Sequence, residues 1–430
     1  MSRPSAPRGT RDLFGDEVRL FRRIEERAAD CFRLYGYEEL RTPVFENVDL
    51  FRRAVGDTTD IVEKEMYVFE DRGGRPLALR PEGTAGVVRA YLEHAWDQSA
   101  PVKKLFYSGP MFRAERPQAG RYREFRQTGG EFFGNASPEA DAETLLLMRD
   151  ILAAAGLPKG AATFGVNSLG CAVCRPAFRD ALRAYLEPKK AGLCENCQRR
   201  LAVNPLRVLD CKGDGPALAD APVTTDHLCA DCRSHHGRVL ELLRAAELAF
   251  APAPRLVRGL DYYTRTVFEV TAPGLGAQDA LGAGGRYDGL VKSLGGPDTP
   301  AVGFAFGVDR VARALAAQNV LVAGPRRVFI AQMGAGTADA AFRLADELRG
   351  GGLWEAAPLA VEVGAPGKSL KSQFRAADGW GAAWVVLVGE DELKKQTVIL
   401  KDLRAGAQRE VPLARAATAV LETIAAEKPS

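Results

Sequence analysis

The stretch Arg258-Gly259-Leu260-Asp261-Tyr262-Tyr263-Thr264-Arg265-Thr266 runs directly into Val267-Phe268-Glu269-Val270. The second half is rich in β-branched and aromatic residues, as a half-buried strand requires. The first half puts two arginines, a carboxylate and two phenols on one short segment. Guanidinium forks suit phosphate, and phenols beside carboxylates suit a small polar ligand. A second unusual segment, Gly284-Gly285-Arg286-Tyr287-Asp288-Gly289, follows about one hairpin later. Together they point to a pocket that holds an anionic phosphate donor beside a small hydrogen-bonding substrate.

Further strand-like runs lie at 66–69, 77–79, 104–108 and 123–133, and the pattern resumes at 267–271. Their spacing suits hairpins in an antiparallel sheet rather than regular βαβ alternation. Helical periodicity covers 16–35, where Val18, Leu20, Phe21, Ile24, Ala28, Phe32 and Leu34 stand among arginines and glutamates, and Gly36 stops it. An alanine- and leucine-rich helix is expected over roughly 138–155. Residues from about 170 to 250 carry cysteine pairs and arginine-rich turns but few strand runs. Because strand patterning returns at Val267, this segment reads as an insertion. Thr299 to Leu315 reads as a short apolar strand, a glycine and a helix, and 319–325 as a linker. Beyond it, strands at 328–331, 359–363 and 384–388 alternate with helices at 337–350, 368–378 and 412–426, a small doubly wound α/β domain. The expected organisation is an α+β domain with an antiparallel sheet in two parts, 1–165 and 251–318. These are separated by a small, cysteine-rich, mostly helical insertion at 166–250 and followed by an α/β domain at 326–430.

A chain of 430 residues is too long for one core. The formal net charge of +3 excludes a strongly basic nucleic-acid coat but says little about a local basic groove. The segment Met1 to Pro7 lacks the apolar core of a secretory signal, and no apolar run is long enough to span a bilayer. A cytoplasmic protein without a membrane partner is expected.

Two more segments carry arginines. Phe112-Arg113-Ala114-Glu115-Arg116 and Arg121-Tyr122-Arg123-Glu124-Phe125-Arg126 flank the loop Pro117-Gln118-Ala119-Gly120. Alternate side chains of a strand share a face, which groups Arg113 with Glu115, and Gln127 and Gly129 with Glu131. A solvated charged hairpin is the competing reading. At Gly303-Phe304-Ala305-Phe306-Gly307-Val308-Asp309-Arg310 the glycines permit close backbone approach, and Arg310 stands at the mouth of a helix that favours anions. The plain alternative is a tight turn capped by Asp309. Gly364-Ala365-Pro366-Gly367-Lys368-Ser369 is too short between its glycines for a phosphate loop and reads as a helix start.

These motifs carry a resemblance. Gly36-Tyr37-Glu38-Glu39-Leu40-Arg41-Thr42-Pro43, Phe112 to Glu115 with its arginine-rich loop, and Gly303 to Arg310 resemble motifs 1, 2 and 3 of the class II aminoacyl-tRNA synthetases. Arg258 to Tyr263 and Gly284 to Gly289 resemble the two signatures specific to the histidyl-tRNA synthetase family, and Pro7-Arg8-Gly9-Thr10-Arg11-Asp12 matches that family's usual start. The one departure is Val308, where motif 3 often carries an aromatic residue.

The resemblance implies that the split α+β domain is a class II catalytic domain and that 326–430 binds the anticodon. It implies ATP and L-histidine as substrates, Mg²⁺ on the β- and γ-phosphates, histidine tRNA as acceptor and a homodimer joined through motif 1. It places Arg113 on the α-phosphate and the substrate carboxylate, Arg258 on the α-phosphate from the other side and within the histidine site, Arg310 on the γ-phosphate and Arg121 on ATP, with Arg113 and Arg258 as the catalytic pair. Glu82 and Thr84 would take the α-ammonium and Gln127 the carboxylate. Imidazole offers one N–H donor and one bare nitrogen. The resemblance gives the donor to Glu131 and the acceptor to Tyr263, with Tyr262 and Tyr287 nearby. Arg116, Gln118 and Arg123 are the groups available to read the extra 5′ guanosine of the tRNA.

Seven of the eight cysteines fall between Cys171 and Cys232. Cys171, Cys174, Cys194 and Cys197 have the paired C-x-x-C spacing of a Cys₄ zinc site. Cys211, Cys229 and Cys232 with His227, His235 or His236 form a second candidate set, and reduced thiols without metal are the alternative. Cys31 reads as core. Two rival functions stand against the ligase reading. One is a silent paralogue, the regulatory subunit of ATP phosphoribosyltransferase, which is expected to lack the C-terminal domain and the phosphate-binding arginines that this chain keeps. The other is a zinc-dependent nucleic-acid-binding module, which leaves the arginine placement unexplained.

Overall fold

The computed structural model describes residues 3–56, 59–116, 120–211, 213–276, 279–352 and 359–426. The chain divides into two compact units, Met1–Val322 and Ala323–Ser430. The strands of the first unit are β1 (Glu38–Glu39), β2 (Phe45–Asn47), β3 (Val68–Glu70), β4 (Pro76–Leu79), β5 (Lys103–Phe112), β6 (Glu124–Phe133), β7 (Thr163–Ser168), β8 (Phe250–Pro252), β9 (Thr264–Thr271), β10 (Ala280–Arg286) and β11 (Ala301–Gly307). Its longer helices are α1 (Gly15–Leu34), α2 (Thr84–Glu93), α3 (Pro138–Ala155), α4 (Arg175–Leu186), α5 (Glu195–Val203), α6 (Ala230–Ala245) and α7 (Val308–Ala317).

Eight strands form one sheet in the order β1-β5-β6-β11-β10-β9-β7-β8. The pairs from β5 through β7 are antiparallel, and only the two outer pairs, β1 with β5 and β7 with β8, are parallel. The period of two along each strand sorts its residues between the faces. Phe132, Phe268, Val270, Phe304 and Phe306 point to the side covered by α1, α3, α6 and α7 and join a core with Phe21, Ile24, Phe32, Leu145 and Val239. There Phe32 stacks on Phe106 at 4.8 Å and on Phe304 at 5.7 Å between ring centroids. Gln127, Gly129, Glu131, Gly303, Ala305 and Gly307 alternate with those residues and take the opposite face. Glycine is required on that face: a Cβ on Gly303 would collide with the Glu131 carboxylate, and one on Gly129 would reach the Tyr107 hydroxyl at 2.5 Å.

β2, β4 and β3 form a separate small antiparallel sheet. The helix expected from Gly36 backwards ends as read, with Gly36 at φ +77°. The expected insertion boundary at 166 falls inside β7, and α6, expected within the insertion, buries Val239 and Leu243 in the main core. The segment that leaves that core is therefore the shorter one between β7 and α6. It closes around its own cluster of Phe178, Leu182, Leu186, Leu193, Leu201 and Val208.

The second unit contains β12 (Arg326–Met333), α8 (Thr337–Gly352), β13 (Leu359–Val363), α9 (Leu370–Trp380), β14 (Trp384–Gly389), β15 (Thr397–Asp402), β16 (Gln408–Pro412) and α10 (Ala416–Ala426). β13, β12 and β14 are parallel, as alternation demands, but β15 and β16 add an antiparallel hairpin to one edge. The domain is thus α/β with a mixed sheet rather than purely doubly wound. Ser369 caps α9 by accepting from the Ser372 amide at 3.3 Å, so the glycine-rich 364–369 segment is a helix start.

Candidate active site

The glycine-floored face of the large sheet opens into a cavity of about 490 Å³, a size ordinary for a ligand site. Glu82, Thr84, Arg113, Arg121, Gln127, Glu131, Arg258, Tyr262, Tyr263, Tyr287 and Arg310 all line it. They come from six segments of the chain, and β5, β6, β9, β10, β11, α2 and α7 bring them together. Arg116 and Arg123 are not in the lining; Arg116 is exposed, and Arg123 bonds the carbonyls of Glu115 at 3.3 Å and Arg8 at 3.1 Å. Gln118 lies outside the described residues.

One end of the cavity is built around Glu131, which is 1% exposed. Its Oε1 accepts from the Thr84 hydroxyl at 2.8 Å and its Oε2 from the Tyr287 phenol. Burial raises the Glu131 carboxyl to about 8, against the lowering effect of those two bonds. Tyr262 and Tyr263 pack beside it, their rings 4.8 Å apart, and Tyr262 meets Tyr287 edge-on at 5.5 Å. Burial pushes the Tyr263 phenol up to about 12 and Tyr287 well above its ordinary value, so both keep their protons as donors. Glu82 accepts from the Thr84 and Ala85 amides at 2.7 and 2.9 Å, at the start of α2. Gln127 Oε1 is buried without a hydrogen-bond partner among the described residues.

The other end is cationic. Arg113 is anchored through Nε to the Pro81 carbonyl at 2.9 Å and lies 5.2 Å over the Phe125 ring. Arg258 pairs with Glu269, Arg121 with Glu115, and Arg310 donates to the Ala280 carbonyl at 2.8 Å. Burial lowers the Arg310 guanidinium below its usual range, and Arg113, Arg121 and Arg258 lower it further. Four positive groups thus press on one another across a single space, a field that an anion relieves.

Asp309 does not cap α7; it accepts from the Arg126 amide at 2.8 Å and from Arg11 at 3.1 Å, tying β6 to the segment before α1. Arg265, the second arginine of the 258–266 segment, turns away and meets His235 at 3.4 Å. Arg286 is fully buried and holds Asp141, the Asn135 and Ser137 carbonyls and Asp288, a structural staple. Val308 is buried in the helix-side core, whereas Phe125 supplies an aromatic wall to the cavity.

The proposed Cys₄ set of Cys171, Cys174, Cys194 and Cys197 is overturned. Cys171 and Cys174 stand with Cys229 and Cys232, and Cys194 and Cys197 with Cys211 and Asp214. None of the three histidines offered for the second set takes part: His235 bonds Asp141 at 2.7 Å, and His227 rests against Phe178. Sequence reading also missed Tyr107, Glu269, Arg207 and Asp210 as cavity residues. Glu269 was findable as the lone acid in an apolar strand. The other three carry no local signal.

An antiparallel sheet flanked by helices on one face, with arginines from separate segments converging on the other, is the catalytic domain of a class II aminoacyl-tRNA synthetase. A sequence-family model described as Histidyl-tRNA synthetase matches residues 9–311, and one described as Anticodon binding domain matches 327–423. The chain is 50% identical over 417 residues to a histidine–tRNA ligase of Desulforudis audaxviator, covering 95% of this chain and 96% of that protein. It is 47% identical over 408 residues to one of Geobacter sulfurreducens, with 94% and 96% covered. The crystal structure of the apo histidyl-tRNA synthetase of S. aureus superimposes with a TM-score of 0.80 at 32% identity, over 97% of this chain and 99% of that one. The chain belongs to the histidyl-tRNA synthetase family and has that family's activity, histidine–tRNA ligation.

Proposed function

We propose that the cavity activates L-histidine in its Glu131 end and ATP in its arginine end. The observation that carries this reading is the convergence of Arg113, Arg258 and Arg310 on one space beside a buried carboxylate and three phenols. A carboxylate oxygen of histidine attacks the α-phosphorus of ATP, and pyrophosphate leaves. No general base is needed, because that carboxylate is ionised at neutral pH. Arg113 and Arg258 hold the oxygens on which charge builds in the transition state, and Arg310 and Arg121 hold the outer phosphates. Arg113 and Arg258, with Gln127, also face the substrate carboxylate. Glu82, whose two oxygens already take α2 amides, keeps lone pairs for the α-ammonium beside Thr84. Glu131 takes the imidazole N–H, and Tyr263 serves the other nitrogen, with Tyr262 and Tyr287 walling the ring. A substrate without imidazole leaves these buried groups unpaired, which is the basis of selection.

A terminal ribose hydroxyl of histidine tRNA then attacks the carbonyl carbon of the adenylate; the histidyl ester forms, the bond to phosphate breaks, and AMP leaves. Arg116, Gln118 and Arg123, from the arginine-rich segment that resembles motif 2, read the tRNA end. The 327–423 domain binds the anticodon, whose unstacked bases need no large positive field. Glu115 and Glu269, hard oxygen donors on the arginine side, fit Mg²⁺. The ion neutralises phosphate charge when bound. A homodimer is supported by Phe45, Val68 and Phe69, exposed together on the small sheet near motif 1. No helix among the described residues is long and apolar enough to cross a membrane. Eight free cysteines suit a reducing compartment, the cytoplasm.

Charging of purified histidine tRNA with labelled histidine and ATP tests the reading. Aminoacylation with histidine alone among the amino acids is expected. A folded protein that charges no tRNA returns the regulatory-paralogue reading.

A further inference from the structure

The insertion brings its cysteines into two clusters that the ligase chemistry does not use. In the first, Cys171 and Cys174 leave the turn after β7, and Cys229 and Cys232 stand at the start of α6. The Cys171 sulfur lies 3.7 Å from that of Cys174 and 3.9 Å from that of Cys229. In the second, Cys194 and Cys197 open α5, and Cys211 and Asp214 come from the next turn. The Cys194 and Cys211 sulfurs are 3.9 Å apart. In each cluster all four ligand atoms lie within 4.8 Å of one another.

These separations discriminate between fates of the thiols. A disulfide needs about 2.05 Å between sulfurs. A tetrahedral zinc with bonds of about 2.3 Å sets its sulfurs about 3.8 Å apart, the edge of that tetrahedron. An iron–sulfur cubane spreads its thiolates much wider. The backbone is already folded around the ligands as well. The Cys171 amide donates to the Cys174 sulfur at 3.0 Å, the Val173 amide to the Cys171 sulfur at 3.4 Å, and the Asp214 amide to the Cys211 sulfur at 3.5 Å. The Asp214 carboxylate accepts from the Cys194 amide at 3.0 Å, which fixes its direction.

The structure assigns two separate zinc centres to this chain, a Cys₄ centre of Cys171, Cys174, Cys229 and Cys232 and a Cys₃Asp centre of Cys194, Cys197, Cys211 and Asp214. Both are closed by four protein ligands, the mark of a structural rather than a catalytic ion. The first joins the start of the insertion to α6 and so closes its neck. The second holds Cys211 and Asp214, just after the short helix Leu206–Leu209 that carries Arg207. From this helix Arg207 Nε approaches Asp261 at 3.4 Å, and Arg207 and Asp210 line the cavity. Asn204, just before it, donates to the same Asp261 carboxylate at 3.1 Å.

Elemental analysis of the full-length protein, purified without chelator, is expected to find about two zinc ions per chain. Cys229→Ser and Cys211→Ser are each expected to lose one of them. Replacement of zinc by cadmium-113 in the unaltered protein avoids any folding defect in those variants. Two cadmium resonances are expected, one in the S₄ range and one displaced as an oxygen replaces a sulfur. Loss of zinc from the second centre alone is expected to weaken histidine binding, read by calorimetry, as Arg207 loosens. Iron with visible absorption, one ion shared by both clusters, or eight freely titrating thiols and no metal would each overturn the assignment. Because the readout is metal content, it stands or fails separately from the ligase activity.

Discussion

Glu131 keeps its proton to about pH 8 because it is buried, although Thr84 and Tyr287 both donate to it. In the proposed complex an imidazole N–H arrives as a third donor and favours the ionised form, so histidine binding there would remove that proton. Below pH 8 this removal costs affinity, and above it the cost disappears. Histidine affinity, followed by calorimetry from pH 7 to 8.5, is therefore expected to rise by up to about tenfold per pH unit before levelling. Glu131→Gln keeps the shape and abolishes the titration. Its histidine affinity is expected to fall by about 2–3 kcal/mol with a flat pH profile, while ATP binding changes little. A variant that retains the pH dependence would show that another group is responsible. At this scale much was legible in the chain: arginines, tyrosines and carboxylates in short, unusual segments. What was hidden was pairing. Nothing near residue 131 in sequence says that Tyr287 and Thr84 will share its two oxygens, since three distant segments meet only through the register of β6, β11 and β10 and the placement of α2.

Among the elements, β10 and α3 are joined by a buried staple. Arg286 and Asp141 are fully buried and bonded at 2.9 Å through Nε, and His235 of α6 bonds the same aspartate at 2.7 Å. Burial works against the Asp141 charge, but His235 and Arg286 outweigh it and hold the carboxyl below the usual range. Arg286→Ala leaves a buried carboxylate without its partner, and a loss of about 3–5 kcal/mol is expected in chemical denaturation. A loss under about 1 kcal/mol would mean that water or His235 takes over the aspartate. The sequence placed Arg286 in a ligand-like signature, yet the fold makes it scaffold and gives the neighbouring Tyr287 to the pocket. Alternation along β10 is the physical reason, and without knowing which face is inward the two roles cannot be told apart. The same limit applies to the cysteines. Adjacent C-x-x-C pairs look like one site, but partners are chosen by how α5 and α6 fold back, not by order in the chain.

Over the whole molecule, the sequence shows its parts through changes of pattern. Hairpin spacing marks the first unit, alternation of strand and helix the second, and cysteine pairs the segment between β7 and α6. The edge hairpin β15–β16 escaped because Thr397 to Asp402 continues an apolar pattern that alternation alone assigns to a connection. Each unit has its own core, and the proposed adenylate site draws its residues from the first alone. A chain ending at Val322 is expected to keep histidine-dependent adenylate formation within about tenfold, while its charging of tRNA falls much further. A folded fragment with no adenylate formation would place part of the chemistry in the second unit. In the proposed mechanism, guanidinium groups from distant segments act together on one phosphate beside an imidazole pocket. Histidine-dependent exchange of labelled pyrophosphate into ATP, compared between the unaltered protein and Arg258→Ala, tests it most directly. Exchange with histidine alone is expected, with a fall of about 10²–10³-fold or more in the variant and histidine binding retained by calorimetry. Unaltered exchange in Arg258→Ala, or equal exchange with another amino acid, would contradict it.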